Sequence, residues 1–154
     1  MKNTRVYHLD FARDIETVVW QYSNLPETDR TNLSSIQFEM TFDYTDQNKN
    51  YNFVIITDTA QMSKYVKILQ DNMILHFIRD ISKLLLKDNV SFDKIERVLD
   101  KTTTSLFKEF KTKMNEWILR NQDLDNVLDM INEKGINKIR EIDKKFLEEY
   151  GKEK

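Results

Sequence analysis

Residues 35–44, "SIQFEMTFDY", alternate between apolar and polar side chains, which is the pattern of a strand with one buried face. A polar stretch, "TDQNKN", follows, and residues 51–58, "YNFVIITD", then resume a β-branched and aromatic run. The sequence therefore predicts an antiparallel β-hairpin. An isolated hairpin is marginal in water, so its apolar face is expected to pack on helices, and an unpaired hairpin edge is able to recruit a partner strand. The apolar positions of the first strand are Ile36, Phe38, Met40, Phe42 and Tyr44.

The most apolar part of the chain is residues 65–86, "YVKILQDNMILHFIRDISKLLL". Its apolar side chains recur at helical spacing and cover more than one face, which predicts a helix over about 60–87 that is buried on several sides. Charged side chains interrupt the stretch too often for a membrane-spanning helix. The helical stripe comprises Met62, Tyr65, Val66, Leu69, Met73, Phe77, Ile81, Leu84 and Leu85.

Weaker patterns complete the predicted elements. Residues 4–9 read as a short strand or an extended arm, Asp10 is a candidate cap for a helix reaching about residue 22, and the segment around Pro26 reads as a loop. Ser91 is a candidate cap for a long amphipathic helix that ends near residue 120, with a bend predicted at the threonines 102–104.

The C-terminal part predicts a helical hairpin. Asp123 is placed to cap its first helix, Gly135 stands where a left-handed residue ends a helix, and Gly151 closes the second helix, 139–150. No domain boundary or repeat is visible, so residues 1–154 are predicted to form a single domain with 122–154 as a helical-hairpin tail. The predicted fold class is α+β and mostly helical: an N-terminal helix, one antiparallel β-hairpin packed on a buried central helix, a long helix, and the C-terminal hairpin.

Composition narrows the function classes only a little. The chain has 154 residues and a formal net charge of −2, with 5 basic and 9 acidic side chains in residues 1–60. Neither part is polarised enough to require nucleic acid or an anionic membrane as a partner. The absence of cysteine removes disulfides and thiolate chemistry, and no spanning segment is predicted. The abundance of Asn, Ile and Lys beside few Gly, Pro and Ala favours an AT-rich genome, such as that of a low-GC bacterium, its phage or a protist.

Residues 124–150, "LDNVLDMINEKGINKIREIDKKFLEEY", resemble the short helical hairpin at the C-terminus of some Bacteroidetes rhomboid-family proteins. The family pattern has Ser or Thr before the acidic start of its second helix, where this chain has Arg140, so that helix is expected to lack the cap. The resemblance covers under a fifth of the chain and implies no activity. It implies at most a Bacteroidetes host, or a phage of one. The matching residues are Leu124, Asp125, Leu128, Asp129, Ile131, Glu133, Lys134, Gly135, Ile139, Glu141, Phe146 and Leu147.

Two histidine motifs are candidates for chemistry. His8 and Asp10, with Asp14, are candidate metal ligands, but a metal site needs three or four convergent ligands and usually a recognisable spacing. His76 and Asp80 would share a helix face as a candidate dyad, yet no nucleophile accompanies them. The favoured interpretation is structural in both cases. No catalytic, cofactor-binding or metal-ligating residue is therefore predicted, and no cofactor.

A basic helix face is the candidate nucleic-acid or partner surface. Residues 101–120 carry a local charge of +3, with aromatic side chains interleaved. The alternative is a solvated face whose charges form helix-spaced pairs. The candidate face consists of Lys101, Lys108, Lys111, Lys113, Trp117 and Arg120.

The sequence is thus interpreted as that of a non-enzymatic protein-interaction or assembly component, with a phage structural or accessory protein as one setting. A protein partner or self-association is expected, and a membrane partner is not. The expected location is cytoplasmic or within a phage particle. The alternative is a small nucleic-acid-associated regulator that uses the basic face.

Overall fold

A computed structural model describes residues 3–92 and 104–152. Four strands form one antiparallel sheet: β1 (Thr4–Asp10), β2 (Met40–Thr45), β3 (Tyr51–Asp58) and β4 (Phe77–Asp80). Their order across the sheet is β2-β3-β1-β4, so β2 and β4 are the two edges of the sheet that the described residues form. The predicted hairpin is β2–β3, and the N-terminal segment is a strand that pairs with β3 and β4 on its two sides.

Strand β3 lies inside the sheet and is buried on both faces, which explains its nearly continuous apolar run. Ile55 points into a core shared with the helices on one face, and Val54 and Ile56 point into a second core on the other face. The sheet therefore separates two apolar clusters, each of which is closed by helices.

The first cluster is covered by α1 (Ile15–Ser23), α2 (Glu27–Ser35) and α3 (Thr59–Asp71). The N-terminal helix begins later than predicted because Asp14, not Asp10, is its cap: Asp14 Oδ1 accepts from the Thr17 backbone N–H at 3.2 Å. The segment predicted as a loop around Pro26 is mostly helix α2. Pro26 itself is the residue that precedes its first turn, where proline's fixed φ suits a helix start.

The second cluster is covered by α4 (Ser82–Leu86) and α5 (Thr104–Asn121). The α5 side chains that contact the sheet recur every three or four residues, and Phe110 stacks on Phe42 of β2 with ring centroids 4.7 Å apart. The residues that follow Ser91, the predicted cap of this helix, lie outside the described part of the chain from 93 to 103. Of the predicted bend at 102–104, only Thr104, the first residue of α5, is described. The buried α5 residues are Phe107, Phe110, Met114, Trp117 and Ile118.

The predicted C-terminal hairpin is present as α6 (Leu124–Lys134), a 3₁₀ turn (Ile136–Lys138) and α7 (Glu141–Lys152). Asp123 caps α6, and its Oδ1 accepts from the Asn126 backbone N–H at 2.8 Å. Gly135 has φ +87°, a value that residues other than glycine rarely adopt. Its ψ of 152° is extended rather than left-handed helical. Gly151 does not close α7, because the helix continues to Lys152.

The predicted helix over 60–87 is wrong beyond residue 71. Helix α3 ends where the Asn72 side chain donates to the Ile68 carbonyl at 2.8 Å and Met73 takes φ +54°. The chain then forms β4, because β1 has a second edge whose backbone groups need a partner. Tertiary pairing thus overrides a helical spacing that β-branched and aromatic residues support only weakly.

Residues 35–44, predicted as a single strand, are a strand only from Met40 onward. Met40, Phe42 and Tyr44 pack with α5, but Ile36 and Phe38 precede β2 and join the cluster on the opposite face of the sheet. The two halves of the pattern therefore serve different cores. At the level of fold class the prediction is confirmed, since the described residues form an α+β fold in which helices predominate.

Candidate interaction surface

The clearest concentration of exposed apolar side chains lies around β4, in a segment of residues 73–80 that we call the β4 edge segment. Met73 is 90 % exposed, Phe77 60 % and Ile78 40 %, and Leu75 is also exposed. Ile74 alone among the apolar residues here is buried, and it anchors the segment to the first cluster. Neighbouring exposed apolar residues on an edge strand are typical of a surface that another polypeptide covers.

Local contacts hold the β4 edge segment in its extended form. His76 Nδ1 lies 2.8 Å from the Ile74 carbonyl oxygen, which fixes the turn before the strand. At the other end the Arg5 guanidinium pairs with the Asp80 carboxylate, and the Ser82 backbone N–H donates to Asp80 Oδ1 at 3.0 Å. Burial opposes ionisation of Asp80, but the hydrogen bonds from Arg5 and Ser82 outweigh it and lower the pKa of this carboxyl group.

These contacts also show what His76 and Asp80 do. They do not share a helix face, because Asp80 is the last residue of strand β4 and His76 directly precedes that strand. Each is engaged with a local group, His76 with the Ile74 carbonyl and Asp80 with the Ser82 backbone N–H. The expected pairing of the two side chains on one helix is therefore wrong, and the absence of a catalytic role stays a prediction.

The predicted basic face is divided by the structure. Trp117 is buried at 2 % exposure and its Nε1 donates to the Thr4 carbonyl at 3.2 Å, so it belongs to the core and not to the surface. The face of α5 that carries Trp117 packs against the sheet, and burying this large apolar ring there stabilises the fold because it removes the ring from water. Lys101 lies outside the described residues.

The remaining cations of that face are spread over the α5 surface. The Arg120 guanidinium donates to both carboxylate oxygens of Glu39, at 2.8 and 3.0 Å. Lys113 lies 3.7 Å from Glu116, while Lys108 and Lys111 are exposed, with the Lys111 ammonium 5.5 Å from the Phe107 ring centre. Over residues 104–121 four cations accompany two glutamates, and two of the cations, Lys113 and Arg120, lie beside carboxylates, so this surface carries mixed charge.

A cavity of about 350 Å³ opens beside His8, at the end of the sheet face that α5 leaves uncovered. His8 Nε2 lies 3.0 Å from Asn52 Oδ1 and 3.3 Å from the Tyr44 hydroxyl. Burial lowers the pKa of His8, and burial raises the pKa of Tyr44 to about 12, with Asp46 and Asp10 adding to that rise. The His8 imidazole thus contacts both the Tyr44 hydroxyl and the Asn52 side-chain oxygen.

The other two candidate metal ligands, Asp10 and Asp14, each accept a hydrogen bond from a nearby backbone N–H. Asp10 Oδ1 accepts from the Ala12 backbone N–H at 2.8 Å, and Asp14 caps α1. Within residues 3–92 and 104–152, no cluster of three or more His, Cys, Asp or Glu side chains is arranged to hold a metal ion. None of the helices in the described part of the chain is long and apolar enough to cross a membrane.

Sequence reasoning missed the β4 edge segment because its apolar residues satisfy a helical period as well as a strand period. The local signal for an earlier helix end is Asn72, a residue type that favours helix termini; residues 75–80, "LHFIRD", do not alternate between apolar and polar side chains and so give no strand signal of their own.

The fold and surface define a class: an α+β protein whose four-stranded antiparallel sheet lies between two helical layers and presents an apolar strand at one edge. Comparison of the chain with protein-family models, with curated proteins and with solved structures finds no match. The resemblance of residues 124–150 to rhomboid-family C-termini therefore stays a prediction.

Proposed function

We propose that this protein is a non-enzymatic interaction or assembly component that adds a polypeptide strand to its sheet along β4. The observation that carries the proposal is the β4 edge segment, where an edge strand and exposed apolar side chains coincide. Strand addition at such an edge supplies backbone hydrogen bonds for affinity and side-chain contacts for specificity.

The polar groups near this edge support an interaction role over a catalytic one. The His76 imidazole faces a backbone carbonyl, and the Asp80 carboxylate is engaged by Arg5 and Ser82. General acid–base catalysis needs such groups to converge on a substrate position. The amino-acid composition fits an AT-rich genome, and a phage genome is one example of this; on that ground alone we extend the proposal to a phage structural or accessory protein.

Comparative co-purification tests the proposal. The wild-type protein, the variant Ile78→Lys and the matched control Trp20→Lys are each recovered with their bound proteins from native cells. Trp20 is 66 % exposed and lies on α1, a different element from β4. We expect a bound polypeptide, whether a different protein or an untagged copy of this chain, to be lost with Ile78→Lys and kept with Trp20→Lys. Equal recovery with all three proteins would contradict the proposal.

The alternative, a nucleic-acid-associated regulator, has support in the exposed side chains of Lys108 and Lys111. It is weakened by the burial of Trp117 and by the pairing of Arg120 with Glu39. Its test is a salt titration of DNA binding, described in the Discussion.

A further inference from the structure

Strand β4 presents outward the backbone groups of its even-numbered residues. The Phe11 backbone N–H donates to the Tyr51 carbonyl at 3.0 Å, so the odd-numbered residues of β1 face β3 and its even-numbered residues face β4. The Ile81 backbone N–H donates to the Val6 carbonyl at 2.9 Å, which agrees. In the β1–β4 ladder, Arg79 is opposite His8 and Phe77 is opposite Asp10. Phe77 and Arg79 therefore bond to β1, and Ile78 and Asp80 direct their N–H and C=O groups away from the sheet.

We propose that the strand added at this edge is β4 of a second copy of the chain, paired antiparallel about a two-fold axis at Ile78. This inference rests on the proposed function and names its partner. In this register Ile78 is opposite Ile78 of the second copy and the two residues exchange both backbone hydrogen bonds. The two sheets then join into one.

The side chains of the segment are complementary to themselves in this register. Phe77 is opposite Arg79 of the second copy, where a guanidinium can lie on an aromatic ring. His76 is opposite Asp80 of the second copy, so an imidazole meets a carboxylate. Each of these pairs occurs twice because the axis is two-fold, and such pairs are the unit that stabilises a sheet.

Neighbouring two-fold registers are less favourable. Pairing about Arg79 would place the two arginines directly opposite each other, and like charges in that position destabilise a sheet. Pairing about Phe77 would place Arg79 opposite Leu75 and His76 opposite Ile78, which leaves both polar groups facing apolar ones. The self-complementary register about Ile78 thus follows from the order of four residues, "FIRD", after a histidine.

The helical layer next to this edge offers space for the added strand. A groove of about 370 Å³ lies between α3 and β4, and Ile78 forms part of its wall together with Met62, Val66 and Tyr7. Because opposite residues of an antiparallel pair point to the same face, Ile78 of the second copy lies on the face that carries this groove. Burying two isoleucines there removes apolar surface from water on both copies.

Cross-linking tests the register, since the chain has no cysteine of its own. The variant Ile78→Cys places two thiols on a hydrogen-bonded pair whose Cα atoms are about 5.5 Å apart, within the range that a disulfide spans. In His76→Cys the two thiols are displaced by four residues along the strands, roughly 13 Å. Val19→Cys is the exposure control, because Val19 is 54 % exposed on α1.

Under mild oxidation with oxidised glutathione we expect Ile78→Cys to form a covalent dimer at least tenfold faster than His76→Cys or Val19→Cys. Comparable rates for the three variants would overturn the inference.

Light scattering after size exclusion provides a second readout on the unmodified chain. We expect the wild-type protein to reach the mass of two chains as its concentration rises, and Ile78→Pro to keep the mass of one. Proline at this position removes an outward N–H without breaking the β1–β4 ladder, and edge strands tolerate it there. Circular dichroism shows whether the variant is folded, and the cross-linking result decides the register independently of that variant.

The two proposals fail in different ways. A wild-type protein that stays monomeric at every concentration overturns the two-fold inference. If Ile78→Lys nevertheless loses a bound protein of a different sequence in the co-purification, the interaction function stands with another partner.

Discussion

Arg140 shows how one side chain fixes the C-terminal hairpin to the rest of the fold. Its Nε donates to Asp143 Oδ2 at 2.8 Å, and its Nη1 donates to the Leu85 carbonyl at the end of α4 at 2.7 Å. Asp143 is fully buried and also accepts from the Gln122 amide at 2.8 Å. The position that departs from the rhomboid-family pattern therefore holds an ion pair whose carboxylate is buried and which links α4, α7 and Gln122, the residue after α5.

We predict that Arg140→Met lowers the free energy of unfolding by about 3–5 kcal/mol, because it leaves the Asp143 carboxylate buried without its cation. Urea denaturation measures the change. The control Lys144→Met removes an exposed pair with Glu141 and is expected to change stability by less than about 1 kcal/mol. The double variant Arg140→Met with Asp143→Leu should recover most of the loss. A single variant as stable as the wild type would show that the pair contributes nothing.

The buried tyrosines Tyr22 and Tyr65 predict how stability responds to alkaline pH. Their hydroxyls are hydrogen-bonded to each other in the first cluster. Burial raises the pKa of Tyr22 to about 12, against an ordinary value of 10.0, and burial also raises the pKa of Tyr65. The folded state therefore holds these protons above pH 10, where the unfolded chain releases them.

Because the unfolded state binds fewer protons in that window, the free energy of unfolding falls as pH rises from 10 to 12, and the contribution is complete below pH 10. Urea denaturation across this range measures the fall. In the variant Tyr22→Phe the slope should be smaller, since one titrating group is removed. A slope equal to that of the wild type would mean that Tyr22 titrates normally.

At the scale of elements, the stretch predicted as one helix over about 60–87 contains helix α3 followed by strand β4. Leu69 on α3 is fully buried, whereas Phe77 on β4 is 60 % exposed. The periodicity is common to both residues, so the pattern alone assigns them the same role. Burial distinguishes them because β4 forms at the edge of the sheet and α3 packs on its face.

We therefore predict that Leu69→Ala destabilises the fold by about 2–5 kcal/mol, because it leaves a cavity in a packed cluster. Phe77→Ala should cost less than about 1 kcal/mol when the protein is dilute enough to be monomeric. Urea denaturation of both variants measures the difference. Equal losses would place Phe77 in the same interior as Leu69 and would restore the single buried helix.

At the scale of the whole molecule, the charged side chains do not produce a strong positive potential, either in the chain as a whole or on the α5 surface. The formal net charge is −2, and two of the four described α5 cations are paired, Lys113 with Glu116 and Arg120 with Glu39. Electrostatic attraction to the phosphate backbone needs several cations on one surface. This charge distribution gives less support to the nucleic-acid alternative than to the proposed interaction function.

We predict no measurable binding to duplex or single-stranded DNA at about 50 mM salt, the condition in which phosphate contacts are strongest. Fluorescence anisotropy measures it, with Lys108→Glu plus Lys111→Glu as the matched variant. Binding that weakens steeply with salt and disappears in this variant would replace the interaction function with the nucleic-acid-associated regulator.

The sequence by itself determined the elements whose pattern is local. The β2–β3 hairpin follows from alternation, α6 from Asp123 and its apolar stripe, and the position of Gly135 from the need for a positive φ. These features depend on interactions within a few residues, so a single sequence carries them.

Only the tertiary structure decided the features that depend on distant neighbours. Residues 77–80 form a strand because β1 has a second edge with which they pair. Trp117 is in the core because the face of α5 that carries it packs against the sheet. Arg140 is bound by Asp143 and by the Leu85 carbonyl, which lies far from it in the sequence. An apolar stripe predicts that one face of an element is buried, but it does not identify the element that packs against that face. A strand edge exists only after other strands have paired. The candidate interaction surface lies at such an edge, and so it became visible only in the folded chain.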